Sequence, residues 1–207
     1  MISYSNIVLV GPSHREAVYA VAGLSRIAYV SPPSERYPVV YDKQCDDAEG
    51  WEPLRDLGLE LTNALDCGAL GFRNATDEHL LCMLFSRGHY LGCRAWGGQA
   101  NPPCPESLLP TAVFAELICD LLDEELDMRG IAGLLARVDA VLAEEEREGL
   151  VKYAEGVATP FTIHTVLAAE LALGHCTAGI GFHTILTAET GEDASWRVDD
   201  FRRIDGK

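Results

Sequence analysis

Two polar clusters directly follow the first two apolar stretches of this sequence, and their side chains could do chemistry together. Ser13 and His14 follow the apolar residues 6–10, NIVLV. A second cluster follows residues 37–41, YPVVY, and contains Asp42, Cys45, Asp46 and Asp47. An imidazole, a thiol and several carboxylates are groups that ligate metals or share a proton.

The elements around these clusters predict how they would meet. A strand, a helix and a second strand of one sheet normally form a parallel crossover, so both clusters would lie at the carboxyl ends of their strands, where open α/β sheets bind ligands. The catalytic candidates are then Ser13, His14 and Asp42, and the metal candidates are His14, Asp42, Cys45 and Asp46. The alternative is structural, because Ser13 and Glu16 fit a helix capping box and the acids fit a solvated loop.

Recognised catalytic and cofactor motifs are otherwise absent, and we expect no cofactor. The sequence 11–13, Gly-Pro-Ser, lacks the remainder of a phosphate-binding loop, and no GxGxxG, HExxH or GxSxG occurs. His175 and Cys176 with His183 match no standard zinc spacing.

The formal charge of −16 argues against nucleic acid or an anionic membrane as a partner. Acidity is concentrated in residues 105–156, which carry a net charge of −9. Solubility explains this charge, and so does electrostatic steering toward a basic protein. Five residues form the candidate partner-binding face: Asp120, Asp123, Glu124, Glu125 and Asp127.

Seven cysteines occur, with no CxxC pair, and the amino-terminal MISYSNIVLV does not resemble a signal peptide. We therefore expect free thiols and a cytoplasmic protein. No apolar run is long enough to span a membrane.

Apolar patterns predict a mixed α/β (α+β) fold with a β-α-β-α-β-β-β sheet in the first half. Helices are expected from Ser13 to about Leu24 and over 51–65. A β-meander is expected over 68–73, 80–85 and 89–96, with LLCMLF as its middle strand.

The second half is predicted to be mostly helical, with helices over 111–123, 128–146 and 161–173 and a last strand over 178–187. The expected divisions are residues 1–98, a Gly/Pro-rich connection at 99–110, a helical half at 111–190 packed as one domain with the first, and a polar tail at 191–207.

The segments LVGPS, YPVVYD, GALGFRNATDEHLLCMLFSRGHYLGCRAW and FTIH, with GIGF after it, make the chain resemble a group of uncharacterised bacterial proteins. The resemblance implies an architecture, a βαβ unit followed by a meander, and no activity.

Alternation in the last meander strand places Tyr90, Arg94 and Trp96 on one face. These residue types are enriched at binding hot spots, although helices covering that face would make them core. We expect core.

These observations lead to two hypotheses about function. The first is a non-enzymatic, immunity- or inhibitor-like protein that binds a basic protein. The second is a small enzyme or metal-binding protein that uses His14 and Asp42. A homo-oligomer is compatible with either.

Overall fold

The computed structural model of this chain describes residues 3–75, 79–97, 108–122, 127–148, 159–174, 177–190 and 201–206. Within these ranges the chain forms seven strands and seven helices, with strands mostly early and helices mostly late. The strands are β1 (Tyr4–Val10), β2 (Ala28–Val30), β3 (Val39–Asp42), β4 (Gly68–Ala75), β5 (His79–Ser86), β6 (His89–Trp96) and β7 (Arg202–Ile204). The helices are α1 (His14–Gly23), α2 (Lys43–Asp47), α3 (Glu52–Leu65), α4 (Thr111–Leu122), α5 (Met128–Glu148), α6 (Pro160–Glu170) and α7 (Phe182–Thr190).

The strands form one sheet in the order β6-β5-β4-β1-β3-β2-β7, and every adjacent pair is antiparallel. The predicted mixed α+β class is confirmed, with its meander and with a strand after the helical half, although that strand is not at the predicted position. The predicted parallel pairing of the first two apolar strands is wrong, because β3 is antiparallel to β1. The strand parallel to β1 is instead the short β2, and β3 is inserted between the two as in a split βαβ unit.

Helices cover both faces of the sheet, so the central strands are buried on both sides. One face packs Ile7, Leu9 and Val40 against residues of α1 and α3, such as Val21 and Leu61. The other face packs against α4, α5, α6 and α7. Burial on both faces explains why β5 reads as an almost unbroken apolar run.

A bulge changes which residues of β6 share a face. Leu84 pairs with Gly92 but Phe85 pairs with Tyr90, so Leu91 is an extra residue in β6. Gly92 adopts a φ of +134°, which is unfavourable for any residue with a Cβ. The bulge puts Tyr90 on the face of the sheet that α3 covers, whereas Trp96 lies on the other face. The prediction that Tyr90 shares a face with Arg94 and Trp96 is therefore wrong.

The predicted strand over 178–187 is wrong, because residues 182–190 form α7. Phe182 and Ile185 are buried three positions apart, as on one side of a helix. The final strand is β7, within the segment expected to be a polar tail. Within the described ranges, no helix is long and apolar enough to cross a membrane.

Candidate functional site

The antiparallel pairing of β1 and β3 separates the two clusters that the sequence suggested would meet. Val8 pairs with Val39 and Ile7 with Val40, so the carboxyl end of β1, which leads to His14, lies beside the start of β3. Asp42, at the carboxyl end of β3, therefore lies at the opposite end of these strands. The structure does not bring His14 and Asp42 into one site.

Ser13 caps α1, as the structural alternative predicted. Its Oγ accepts from the Glu16 amide at 3.3 Å, and its own amide donates to the Glu16 carboxylate at 2.8 Å. The Ser13 hydroxyl also donates to this carboxylate, which lowers the pKa of Glu16. The backbone amide and the hydroxyl of Ser13 are thus both used by the cap.

His14 pairs with Ser31, a residue that the sequence reasoning did not select. The carboxyl ends of the parallel strands β1 and β2 bring the two together, with 3.3 Å between His14 Nε2 and Ser31 Oγ. Ser31 Oγ also accepts from the Val39 amide at 2.9 Å, so its hydroxyl proton is available to His14 Nε2. Burial lowers the pKa of His14, and the nearby Glu35 carboxylate opposes this shift.

A hydroxyl beside an imidazole is the arrangement of an activated nucleophile. Ser31 is only 2% exposed, however, and its oxygen is already bound to the backbone of β3. This hydrogen bond joins α1 to the β2–β3 connection, and we assign it a structural role. In the sequence, Ser31 is a single serine before two prolines, a pattern common in loops, so it gave no indication of a contact with His14.

Asp42 and Cys45 form the buried start of α2. Asp42 Oδ1 accepts from the Cys45 amide at 2.9 Å and lies 3.4 Å from an Arg26 nitrogen. Burial and the Asp42 carboxylate raise the pKa of the Cys45 thiol well above its ordinary value. The thiol is therefore neutral at physiological pH and is a poor nucleophile.

Asp46 lies where α2 meets the first turn of α7, a contact that we call the α2–α7 junction. Its carboxylate accepts from the amides of Ser5 at 2.6 Å and His183 at 3.3 Å. Burial raises the pKa of Asp46 to about 6, and the hydrogen bonds from His183 and Ser5 oppose that rise. Gly181 permits this contact, because a Cβ there would lie 2.4 Å from a carboxylate oxygen of Asp46.

Asp47 completes the junction on its exposed side. One of its oxygens lies 2.5 Å from His183 Nε2, and the other accepts from Lys43 Nζ at 2.5 Å. These two hydrogen bonds lower the pKa of Asp47. The junction thus brings two predicted residues, Asp46 and Asp47, to His183, which the sequence pattern had grouped only with His175 and Cys176.

A metal site is not formed by this junction or by the other described residues. In the ranges that the structure describes, no group of three His, Cys, Asp or Glu side chains is placed to hold a metal ion. The geometry of the junction supports hydrogen bonding and ion pairing that attach α7 to α2.

The acidic candidates lie on and after α4. Asp120 and Asp127 are exposed, whereas Asp123, Glu124 and Glu125 lie outside the described residues. Glu116 is also exposed, one helical turn before Asp120. Asp127 Oδ1 accepts from the Arg129 amide at 3.1 Å at the start of α5.

Arg94 and Trp96 belong to the interior, as expected. Trp96 is 2% exposed and packs edge-on against Phe114. Arg94 donates to the Leu109 carbonyl at 3.0 Å and forms an ion pair with Asp139 of α5. These contacts attach the helical layer to β6 and leave neither side chain free as a binding hot spot.

The expectation that the cysteines are free thiols is met at four described positions and not at a fifth. Cys45, Cys67, Cys82 and Cys119 are free, but Cys93 is disulfide-bonded. A disulfide is typical of proteins in oxidising compartments, so the cysteines give no support to the cytoplasmic prediction.

Comparison of the chain with protein-family models, with curated proteins and with solved structures found no match in any of the three.

Proposed function

We propose that this chain is a non-enzymatic binding protein, of the immunity or inhibitor kind, that engages a basic protein through the acidic side formed by α4 and the start of α5. We call this side the acidic face and define it by Val113, Glu116, Asp120, Asp127 and Met128.

The observation that carries the proposal is unpaired negative charge beside exposed apolar side chains. Glu116 and Asp120 are exposed on one side of α4, and neither has an ion-pair partner among the described residues. Val113 is 41% exposed and Met128 is 47% exposed. Protein interfaces usually have an apolar core surrounded by a polar rim, and Val113 and Met128 would be the core of this one.

The net charge gives this face a kinetic role. At −16, the whole chain attracts a basic partner before contact, and local acidic residues orient it. The apolar side chains of Val113 and Met128 would then be buried in the complex, where each contributes about 1–2 kcal/mol if fully covered.

The alternative, a small enzyme or metal-binding protein that uses His14 and Asp42, has less support from the positions of its residues. Ser13 caps α1, and Cys45 is a buried neutral thiol. His14 and Asp42 each follow or end a strand at its carboxyl end, and because β1 and β3 are antiparallel they lie at opposite ends of this strand pair. We therefore do not propose an enzyme or a metal-binding protein.

Charge reversal tests the proposal. A basic partner isolated from host lysate by capture at low salt would be titrated against the purified wild type and against Glu116→Lys/Asp120→Lys. We expect at least a tenfold rise in Kd for this double variant, and a steep loss of wild-type affinity with salt.

The matched control is Glu52→Lys/Asp56→Lys on α3. These residues are also exposed and four positions apart, but they lie on the other face of the sheet. Equal loss of affinity in both double variants would show that only the net charge of the protein matters. No loss of affinity in the α4 variant would show that the acidic face is not part of the interface.

A further inference from the structure

Three buried side chains with polar atoms lie together where α6 covers the centre of the sheet. Tyr4 and Asn6 are two positions apart in β1, so they share one face of the strand. Asn6 lies opposite Phe72 of β4, and the His164 ring stacks on the Phe72 ring with 4.1 Å between the centroids. Tyr4 and Asn6 are 1% exposed and His164 is 0% exposed. Polar atoms sealed from solvent in this way need a partner in the protein or a bound water.

The contact between Tyr4 and His164 determines which nitrogen of the imidazole carries the proton. The phenol oxygen lies 2.6 Å from Nδ1, a distance usual for a hydroxyl donor and shorter than that of an N–H donor. Burial lowers the pKa of His164 to about 3, so the ring is neutral and has one N–H group. The phenol therefore donates to Nδ1, and the proton of the ring is on Nε2. This Nε2–H donor has no hydrogen-bond partner among the described residues.

Asn6 has the complementary requirement. Its side-chain nitrogen donates to the Thr177 carbonyl at 2.7 Å and to the Ile180 carbonyl at 3.0 Å. Both amide protons are used by these bonds, which fix the orientation of the amide group. Oδ1 is then a buried acceptor, and nothing in the part of the chain that the structure describes donates to it.

The donor of His164 and the acceptor of Asn6 are close neighbours that do not bond to each other. Opposite residues of antiparallel strands have Cα atoms about 5 Å apart, so Asn6 lies directly beside the Phe72 that His164 covers. An unmet donor and an unmet acceptor at this separation are the groups that a buried water molecule connects, since a water both accepts and donates.

From these contacts we infer that the interior between β1, β4 and α6 is a binding site for one structural water molecule, which accepts from His164 Nε2–H and donates to Asn6 Oδ1. The water joins the Tyr4–His164 contact and the Asn6–Thr177 contact into one network. This network attaches both α6 and the segment before α7 to β1. The inference is independent of the proposed function, which concerns α4 and α5.

A high-resolution crystal structure of the full-length wild type tests the site. We expect a water within about 3.2 Å of both His164 Nε2 and Asn6 Oδ1. The 15N chemical shifts of the His164 ring, measured in solution, should show a protonated Nε2 and an unprotonated Nδ1. His164→Phe keeps an aromatic ring over Phe72 and removes the donor, so its crystal structure should lack the water. His183→Phe is the matched control, because His183 is exposed and lies on α7, and it should retain the water.

Three results would overturn the inference. The first is a wild-type structure without a water bonded to both atoms, including one in which Nε2 contacts Oδ1 directly. The second is a set of 15N shifts that places the proton on Nδ1. The third is a water that persists in His164→Phe, which would show that His164 does not hold it. If His164→Phe does not fold, the two wild-type measurements decide the question.

Discussion

Tyr4 of β1 and His164 of α6 share a buried hydrogen bond, with 2.6 Å between the phenol oxygen and Nδ1. His164 is fully buried, and its ring also stacks on Phe72 with 4.1 Å between the centroids. Its Nε2 has no hydrogen-bond partner among the described residues. This contact joins the amino-terminal strand to a helix 160 positions later and gives the fold a sensitivity to acid.

Acid should destabilise the protein through His164. Burial lowers its pKa from 6.5 to about 3, so the folded state cannot take up the proton that the unfolded state binds below pH 6.5. Its contribution to stability is present above pH 6.5 and is lost as the pH falls. Between pH 7 and pH 5 we expect a loss of about 2 kcal/mol.

Urea unfolding at both pH values measures this loss. Tyr4→Phe/His164→Leu removes both polar groups while keeping the apolar volume, and its free energy of unfolding should not show the His164 contribution. An unchanged pH dependence in this variant would show that His164 does not remain neutral in the fold.

Asp46 should act in the opposite direction. Because its folded pKa is raised to about 6 from 3.8, its stabilising contribution is complete below pH 3.8 and is lost as the pH rises through 6. The loss is about 3 kcal/mol by pH 7. Since His164 and Asp46 oppose each other between pH 4 and 6, the wild type should be less sensitive to pH there than either residue alone implies.

Replacing Asp46 by Asn separates the two effects. Asp46→Asn should lose more stability than the wild type on acidification from pH 7 to pH 4.5, because the opposing contribution of Asp46 is removed. Asp47→Asn is the control, since this neighbouring carboxyl is exposed and has a lowered pKa. A steeper acid response in the control than in Asp46→Asn would contradict the assignment.

Gly58 should tolerate no side chain. It lies in α3 against β5, and a Cβ there would come within 2.6 Å of the Phe85 ring. Gly58→Ala should therefore cost about 1–3 kcal/mol, despite the higher helix propensity of alanine. Gly23 of α1 has open space around it, so Gly23→Ala should be neutral or stabilising by up to about 1 kcal/mol. Thermal unfolding of both variants makes the comparison, and equal effects would contradict the close packing of α3.

Cys93 should resist alkylation until the protein is reduced. In denaturant without reductant, we expect iodoacetamide to modify Cys45, Cys67, Cys82 and Cys119 but not Cys93. Reduction should add Cys93, and peptide mass spectrometry would identify its partner. Modification of Cys93 in protein purified under oxidising conditions would show that the bond does not form.

Local sequence signals predicted many of the elements. The Ser13–Glu16 capping box starts α1 as expected, and the apolar stripe of residues 51–65 gives α3 with Leu54, Leu57 and Leu61 buried. The meander, α4 and α5 also form close to their predicted bounds. In each case the information lies within one turn or one strand, so periodicity and capping are sufficient.

Elements stabilised by distant residues were not predictable in this way. β2 and β7 have three residues each, too few to show a period, and both exist because the sheet pairs them. α7 was predicted to be a strand, and the contact at its first turn is distant in sequence: the His183 amide donates to Asp46, a carboxylate more than 130 positions earlier. The position of His183 beside Asp47 follows from the same contact and had no local signal.

By itself, the sequence determined the mixed class, the acidic character and the residues available for chemistry, because composition and short-range pattern carry that information. Only the tertiary structure decided which of those residues meet. A single topological fact, the insertion of β3 between the parallel strands β1 and β2, sent Asp42 to the end of the strands opposite His14 and brought Ser31 to His14 instead. Strand order depends on which apolar surfaces are buried together across the whole chain, so no local pattern contains it.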